Sequence, residues 1–169
     1  MDQNEFMLLT APSKDKIFRL AKRLLVSIEE AQDATQEVLV KLWNKKGDLQ
    51  DYNNVEALAM TMTKNYCLDQ LKSKRASNVK ISDKEFLRSE APLDKNVEDN
   101  DSLAWVEKSI NKLPEQQRII IQLRDIEQYE FDEIAEILDI SEGTIRVSLS
   151  RARKTIREEM MKIHSYGVK

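Results

Sequence analysis

Cysteine and histidine each occur once in the 169 residues, and glycine and proline only three times each. A lone thiol, Cys67, cannot close an internal disulfide, so it reads as a small buried apolar side chain of a reducing compartment. The single histidine, His164, lies in what is expected to be a frayed C-terminal tail. That leaves no His/Cys cluster for a metal and no Ser-His or Cys-His pair for nucleophilic catalysis. A glycine-rich phosphate loop is also missing. No catalytic residue, metal site or cofactor is therefore expected, and the chain does not read as an enzyme. Scarce glycine and proline leave little material for hairpin turns, so the expected fold class is all-α. No apolar run approaches the roughly 18 residues needed to span a bilayer, and Asp2 and Glu5 stand where a signal peptide would be basic. The expected location is the cytoplasm, with no direct membrane insertion.

Charge, by contrast, is plentiful. With 34% charged and 41% hydrophobic residues the composition is that of one or two small globular domains. Twenty-seven Lys and Arg stand against thirty Asp and Glu, a net charge of −3, so any nucleic-acid contact must come from local cationic patches.

The strongest patterning runs from Tyr129 to Met161. Ile134, Ala135, Ile137 and Leu138 share one stripe at helical spacing, and Asp139-Ile140 breaks the rhythm. Ser141 is then a favoured N-cap type, with Glu142 beside it to suit the positive end of the helix dipole. A second helix follows, apolar at Ile145, Leu149, Ala152 and Ile156. Arg146, Ser150, Arg151, Arg153, Lys154 and Arg157 are left to face water or something anionic. Two short helices around a tight turn, the second basic, describe a helix-turn-helix whose second helix fits a DNA major groove. Arg146 and Arg151 are the candidates for base edges, and Lys154 and Arg157 for phosphates. The bland account is a solvated charged face.

In chain order, Ser13 to Val26 predicts a first helix apolar at Ile17, Leu20, Ala21, Leu24 and Leu25, with its cations, Arg19 and Arg23 among them, around the rest. A second is predicted from Ser27 to Lys45, with Ala31, Ala34, Val38 and Leu42 on one face. Asp33, Gln36, Glu37 and Val40 make an acidic and apolar outer face that ends at Trp43, a residue that could equally be core. Residues 46 to 54 form a polar loop holding Tyr52, Asn53 and Asn54. A third helix, from Val55 to Arg75, is apolar at Leu58, Met62, Tyr66 or Cys67, and Leu71. Its terminal Lys72, Lys74 and Arg75 suit either the helix C-terminus or a nucleic-acid backbone. From Ser77 to Asp101 the periodicity fades and acidic residues dominate, which predicts a flexible acidic linker. Ser102 to Lys112 is helical, apolar at Leu103, Val106 and Ile110. Pro114 then opens a helix carrying Arg118, Ile119, Ile120, Leu123 and Ile126, for four helices in the C-terminal unit.

Three segments together resemble the extracytoplasmic-function (group IV) sigma factors of bacterial RNA polymerase: DATQEVLVKLW, TKNYCLDQLKSKR and the stretch from Leu113 to Arg153. The resemblance covers nearly the whole chain. It implies two small helical domains, sigma region two over residues 1–76 and sigma region four over 102–169, joined by the linker 77–101. It implies that Asp33, Gln36, Glu37, Leu39 and Trp43 dock on the beta-prime clamp helices of the polymerase core, with the beta flap as a second contact. Tyr52, Asn53 and Asn54 would capture a flipped base of the minus-ten element, and Asn65, Asp69, Lys72, Lys74 and Arg75 would follow the melted strand. Thr144, Arg146, Val147, Ser150, Arg151 and Lys154 would meet the minus-thirty-five DNA. An anti-sigma factor is a further implied partner.

Two departures from the family pattern stand out. Leu58 and Thr61 replace a common tryptophan and arginine, which implies strand-separating contacts that are weaker or differently built. Val147 and Ser150 stand where polar or bulkier residues are frequent, leaving room for another DNA-targeting partner. The alternative from another class is a stand-alone helix-turn-helix regulator of the response-regulator output type.

Overall fold

A computed structural model describes residues 1–78 and 101–167, and the expected linker lies outside the described residues. Among the described residues there are seven α-helices and no strand. The first half holds α1 (Gln3–Leu25), α2 (Ile28–Asn44) and α3 (Val55–Asn78), with a one-turn 3-10 helix at Leu49–Asp51. The second half holds α4 (Asp101–Asn111), α5 (Glu115–Ile121), a π turn (Gln122–Ile126), α6 (Phe131–Leu138) and α7 (Glu142–Gly167).

The first helix begins ten residues before the predicted Ser13. Asp2 and Glu5 form a reciprocal capping box, each side chain bonding the other's backbone amide at 2.8 and 3.0 Å. That cap starts the helix early enough for Phe6 to reach Trp43, edge-on at 5.1 Å. Pro12 sits inside α1, where it lacks the amide that would bond the Leu8 carbonyl. Leu8 is exposed, so water can take that carbonyl.

Ile17, Leu20, Ala21 and Leu24 of α1, Ala31, Ala34, Val38 and Leu42 of α2, and Ala59, Met60 and Cys67 of α3 form the first core, as the stripes on α1 and α2 predict. On α3 the buried line is shifted. Leu58, Met62, Tyr66 and Leu71 are only half-buried, because this helix packs against α1, α2 and α6 and no single narrow stripe suffices. Leu49, placed in a polar loop by sequence, is buried and anchors that loop. At the C-cap of α1, Val26 takes a left-handed backbone, φ 54°, which is uncommon for a β-branched residue, and its amide closes on the Lys22 carbonyl at 2.8 Å.

The second core is built from Ile110, Leu113, Ile119, Ile120, Leu123, Ile134, Ile137, Ile145, Leu149 and Ala152. Two predicted core positions are instead exposed, Leu103 on α4 and Ile126 at the end of the π turn. The π turn is the cause of the second. Its wider winding breaks the 3.6-residue rhythm after Ile121, burying Gln122 and turning Ile126 outward. Helix α7 also runs through His164 to Gly167, where a frayed tail was expected.

Candidate nucleic-acid and partner interfaces

Along α2 the amphipathic pattern leaves a broad arc unused by the core. Asp33, Gln36 and Glu37 are exposed, and Leu39 and Trp43 are half-buried. At 100° per residue these five spread over nearly half the helix circumference, with Val40, exposed, between them. Gln36 and Leu39 border a groove against α1, a cavity of about 540 Å³ that Lys14, Phe18 and Gln32 also line. Asp33 and Glu37 turn toward α3. The Tyr66 hydroxyl is held above its ordinary pKa by burial first and then by the charges of Glu37 and Asp33. The surface thus offers two carboxylates, an amide and an apolar centre, the composition of a protein-docking patch. Val40 completes it and was not among the predicted site residues.

The loop before α3 borders a concavity of about 570 Å³. Tyr52, Asn53 and Asn54 all line it, as their grouping in sequence suggested. Their tasks differ. The Asn54 side-chain oxygen accepts the Ala57 amide at 3.0 Å, so this residue is occupied as the cap of α3. Tyr52 is exposed and presents a ring face, and Asn53 is exposed with its amide. Sequence reasoning missed Gln50 and the opposite wall, where Met1 lies just before α1 and Leu9 and Pro12 come from its early turns. Only the Asp2/Glu5 capping pattern could have signalled that wall. A concave site with apolar walls and a few amide edges suits one flat heterocycle.

On α3, Asn65, Asp69 and Lys72 are exposed in a row that continues from the loop. Lys74 is ion-paired with Glu30 of α2, and Arg75 with Glu115 of α5.

The helix-turn-helix forms as predicted around a left-handed Asp139, φ 54°. Ser141 Oγ accepts the Thr144 amide at 3.2 Å and lies 2.8 Å from the Thr144 hydroxyl. That hydroxyl is part of the cap. Ile145, Leu149 and Ala152 bury the inner face of α7, so Val147, Arg151 and Lys154 fall near the centre of the outer one and Ser150 beside them. Arg146 lies on the flank. Its guanidinium stacks on Phe131 at 4.7 Å, with Arg124 on the same ring at 4.5 Å, and reaches Glu142 at 3.8 Å. Arg153, predicted to face an anionic ligand or water, pairs with Asp125 at 2.5 Å. A presented helix with a cationic centre, on a scaffold fixed by its own ion pairs, has the form that a DNA major groove admits.

Among the described residues no group of His, Cys, Asp and Glu could hold a metal ion, and no helix is long and apolar enough to cross a membrane. Burial pushes the Cys67 thiol up to about 12, consistent with an inert core residue.

Two family models divide the chain: Sigma-70 region 2 matches residues 11–77, and Sigma-70, region 4 matches residues 103–156. The chain is 30% identical over 166 residues to the RNA polymerase sigma-H factor of Pseudomonas aeruginosa and likewise to the ECF RNA polymerase sigma-E factor of Escherichia coli K12. Each comparison covers 92% of this chain and 86% of the relative. Its fold is shared by the sigma factor RpoE, solved with the anti-sigma factor NepR from Bartonella quintana, at TM-score 0.73 and 21% identity, covering 93% of this chain and 97% of that one. It is shared too by CnrH, solved with the cytosolic domain of CnrY, at TM-score 0.67 and 20% identity, covering 93% and 88%.

The class these surfaces and matches define is the sigma-70 type of transcription initiation factor. Within it, the chain belongs to the extracytoplasmic-function sigma factors and is an alternative sigma factor of RNA polymerase. A stand-alone regulator would have no use for the region-two half.

Proposed function

We propose that residues 1–76 and 102–169 each hold both core polymerase and one promoter element, so that two modest contacts on one chain act as a single strong one. The outer face of α2 meets the clamp helices of the beta-prime subunit through Asp33, Gln36, Glu37, Leu39, Val40 and Trp43, and the second half meets the beta flap. The cavity beside Tyr52 takes a base flipped from the minus-ten element. Tyr52 stacks on it, Asn53 and Gln50 read its edge, and Leu9 and Met1 close the far side. Asn65, Asp69, Lys72, Lys74 and Arg75 follow the melted strand. Arg151, Val147 and Ser150 face base edges of the minus-thirty-five element, Lys154 a phosphate, and Arg146 the groove wall. Thr144 contributes through its cap. Melting is driven by the binding energy of extruded bases, without any catalytic group. Such a factor works where polymerase works, in the cytoplasm, and the two solved neighbours make an anti-sigma factor a natural partner.

The observation carrying this reading is the α2 face: two exposed carboxylates and an amide flank an exposed valine that the chain's own core leaves uncovered. The test is co-sedimentation with core polymerase of the triple variant Asp33→Ala, Gln36→Ala, Glu37→Ala. A loss of tenfold or more is expected. Binding equal to that of the parent would refute the docking assignment.

A further inference from the structure

Pro12 breaks a rule of local structure in a helix that otherwise obeys it. It stands well inside α1, where its missing amide leaves the Leu8 carbonyl without a helical partner. Proline is the least favourable residue at such a site and alanine the most favourable. Core packing gives no reason for it, because Pro12 is exposed. The packed side of these turns is made by other residues. Phe6 is buried against Trp43 at 5.1 Å, and Thr10, also buried, donates its hydroxyl to the Phe6 carbonyl at 2.9 Å. The capping box of Asp2 and Glu5 keeps the turns ahead of Pro12 wound. A residue that weakens its own element and fills no core is a sign of use elsewhere.

That use lies on the cavity beside the loop. Leu9, Pro12 and Ser13, spaced i, i+3 and i+4, share the face of α1 that lines it from one side, and Gln50, Tyr52 and Asn53 line it from the loop. A flat heterocycle has two faces. Tyr52 can cover one, and it is the loop's only aromatic residue, so the second face falls to the α1 wall. Leu9 and Pro12 make that wall apolar. The pyrrolidine ring is also rigid, so contact with it costs no side-chain freedom. The charge pattern suits a neutral guest. Among the described residues lining the cavity there is no Lys or Arg to hold a phosphate, and the one carboxylate, Glu56, is paired with Lys16 at 2.9 Å.

We propose that Pro12, with Leu9 beside it, is the second stacking face of this cavity, so that the base extruded from the minus-ten element lies between the Tyr52 ring and the pyrrolidine ring. This rests on the reading of the cavity as a base site. The two walls divide the work. An apolar wall is blind to donors and acceptors, so Pro12 adds affinity for any base, while the amides of Gln50 and Asn53 choose among them.

The experiment uses the full chain assembled with core polymerase. Parent, Pro12→Ala and Tyr52→Ala are titrated with a short single strand from the minus-ten element of a promoter the factor uses, carrying each of the four bases or an abasic site at the flipped position. Pro12→Ala is expected to weaken binding about fivefold whichever base is present, and to leave binding of the abasic strand unchanged. The same variant, free of polymerase, is expected to unfold at a higher denaturant concentration, because an interior helix position has been repaired. Undiminished binding of the intact strand would overturn the proposal. So would equal losses on the intact and abasic strands, which would mean that the proline acts only through the shape of its helix. An unchanged or lower unfolding midpoint would show that the proline serves the fold and would overturn its assignment to the base. If neither the abasic site nor Tyr52→Ala weakens binding, the cavity holds no base, and the reading beneath the proposal falls with it. If both weaken binding and Pro12→Ala does not, the proposal alone falls.

Discussion

Helices α3 and α7 both carry a row of cations, and the rows meet different fates. On α7, Arg151 and Lys154 stand exposed at the centre of an unobstructed face, while the chain's own acids hold the flanking Arg146 and Arg153. On α3, Lys64 lies against a helix end and Lys74 and Arg75 are paired with glutamates, one of them from the other half of the molecule. The difference teaches that a cationic run announces only that an anion is wanted. Position around the helix and the acids within reach decide whether that anion comes from the chain or from outside.

The sharpest way to probe this contrast is to remove one open cation and one braced one. Arg151→Ala is expected to cost about 1–3 kcal/mol at particular minus-thirty-five positions, measured by binding to a panel of single-base promoter variants. Arg146→Ala should cost less, because stacking on Phe131 already engages its guanidinium. Equal losses for both would erase the distinction between centre and flank. A smaller effect is expected from Ser141→Ala, which removes the cap that starts α7: about 1 kcal/mol in denaturant unfolding, with DNA affinity reduced but sequence preference unchanged. A change of preference would mean that the cap reads DNA itself. The smallest expected effect is none at all. With its thiol pushed up to about 12, Cys67 has a thiolate fraction of about 10⁻⁴ at pH 8, so alkylation of the folded protein should be negligible and appear only on unfolding. Ready labelling of native protein would contradict the packing of α3 in the first core.

Much of this was legible before any coordinates, for a physical reason. The stripes of α1, α2, α6 and α7 each follow one helical period, and that period marks their buried faces even though more than one helix packs on each. Ser141 and Pro114 are local signals and stand where they were expected, the one capping α7 and the other α5. What escaped has equally definite causes. The start of α1 lies in a capping pair that looked like mere acidity, and so the far wall of the loop cavity was invisible. Leu103 repeats in step with Val106 and Ile110 yet faces out, since periodicity gives a face and not the width of what covers it. Arg23 sits on the polar side of α1 and is buried nonetheless, because the second half lands there. Contacts between halves have no period to read.

The π turn at Gln122–Ile126 has one more implication. A π turn amounts to a single residue spliced into an otherwise regular helix. Excising one position there would restore ordinary winding and leave Glu127 facing much as it does now, because the wide turn already takes up the extra residue. A three-nucleotide deletion in the coding sequence would then be absorbed at this turn, with the residues beyond it still directed toward α1.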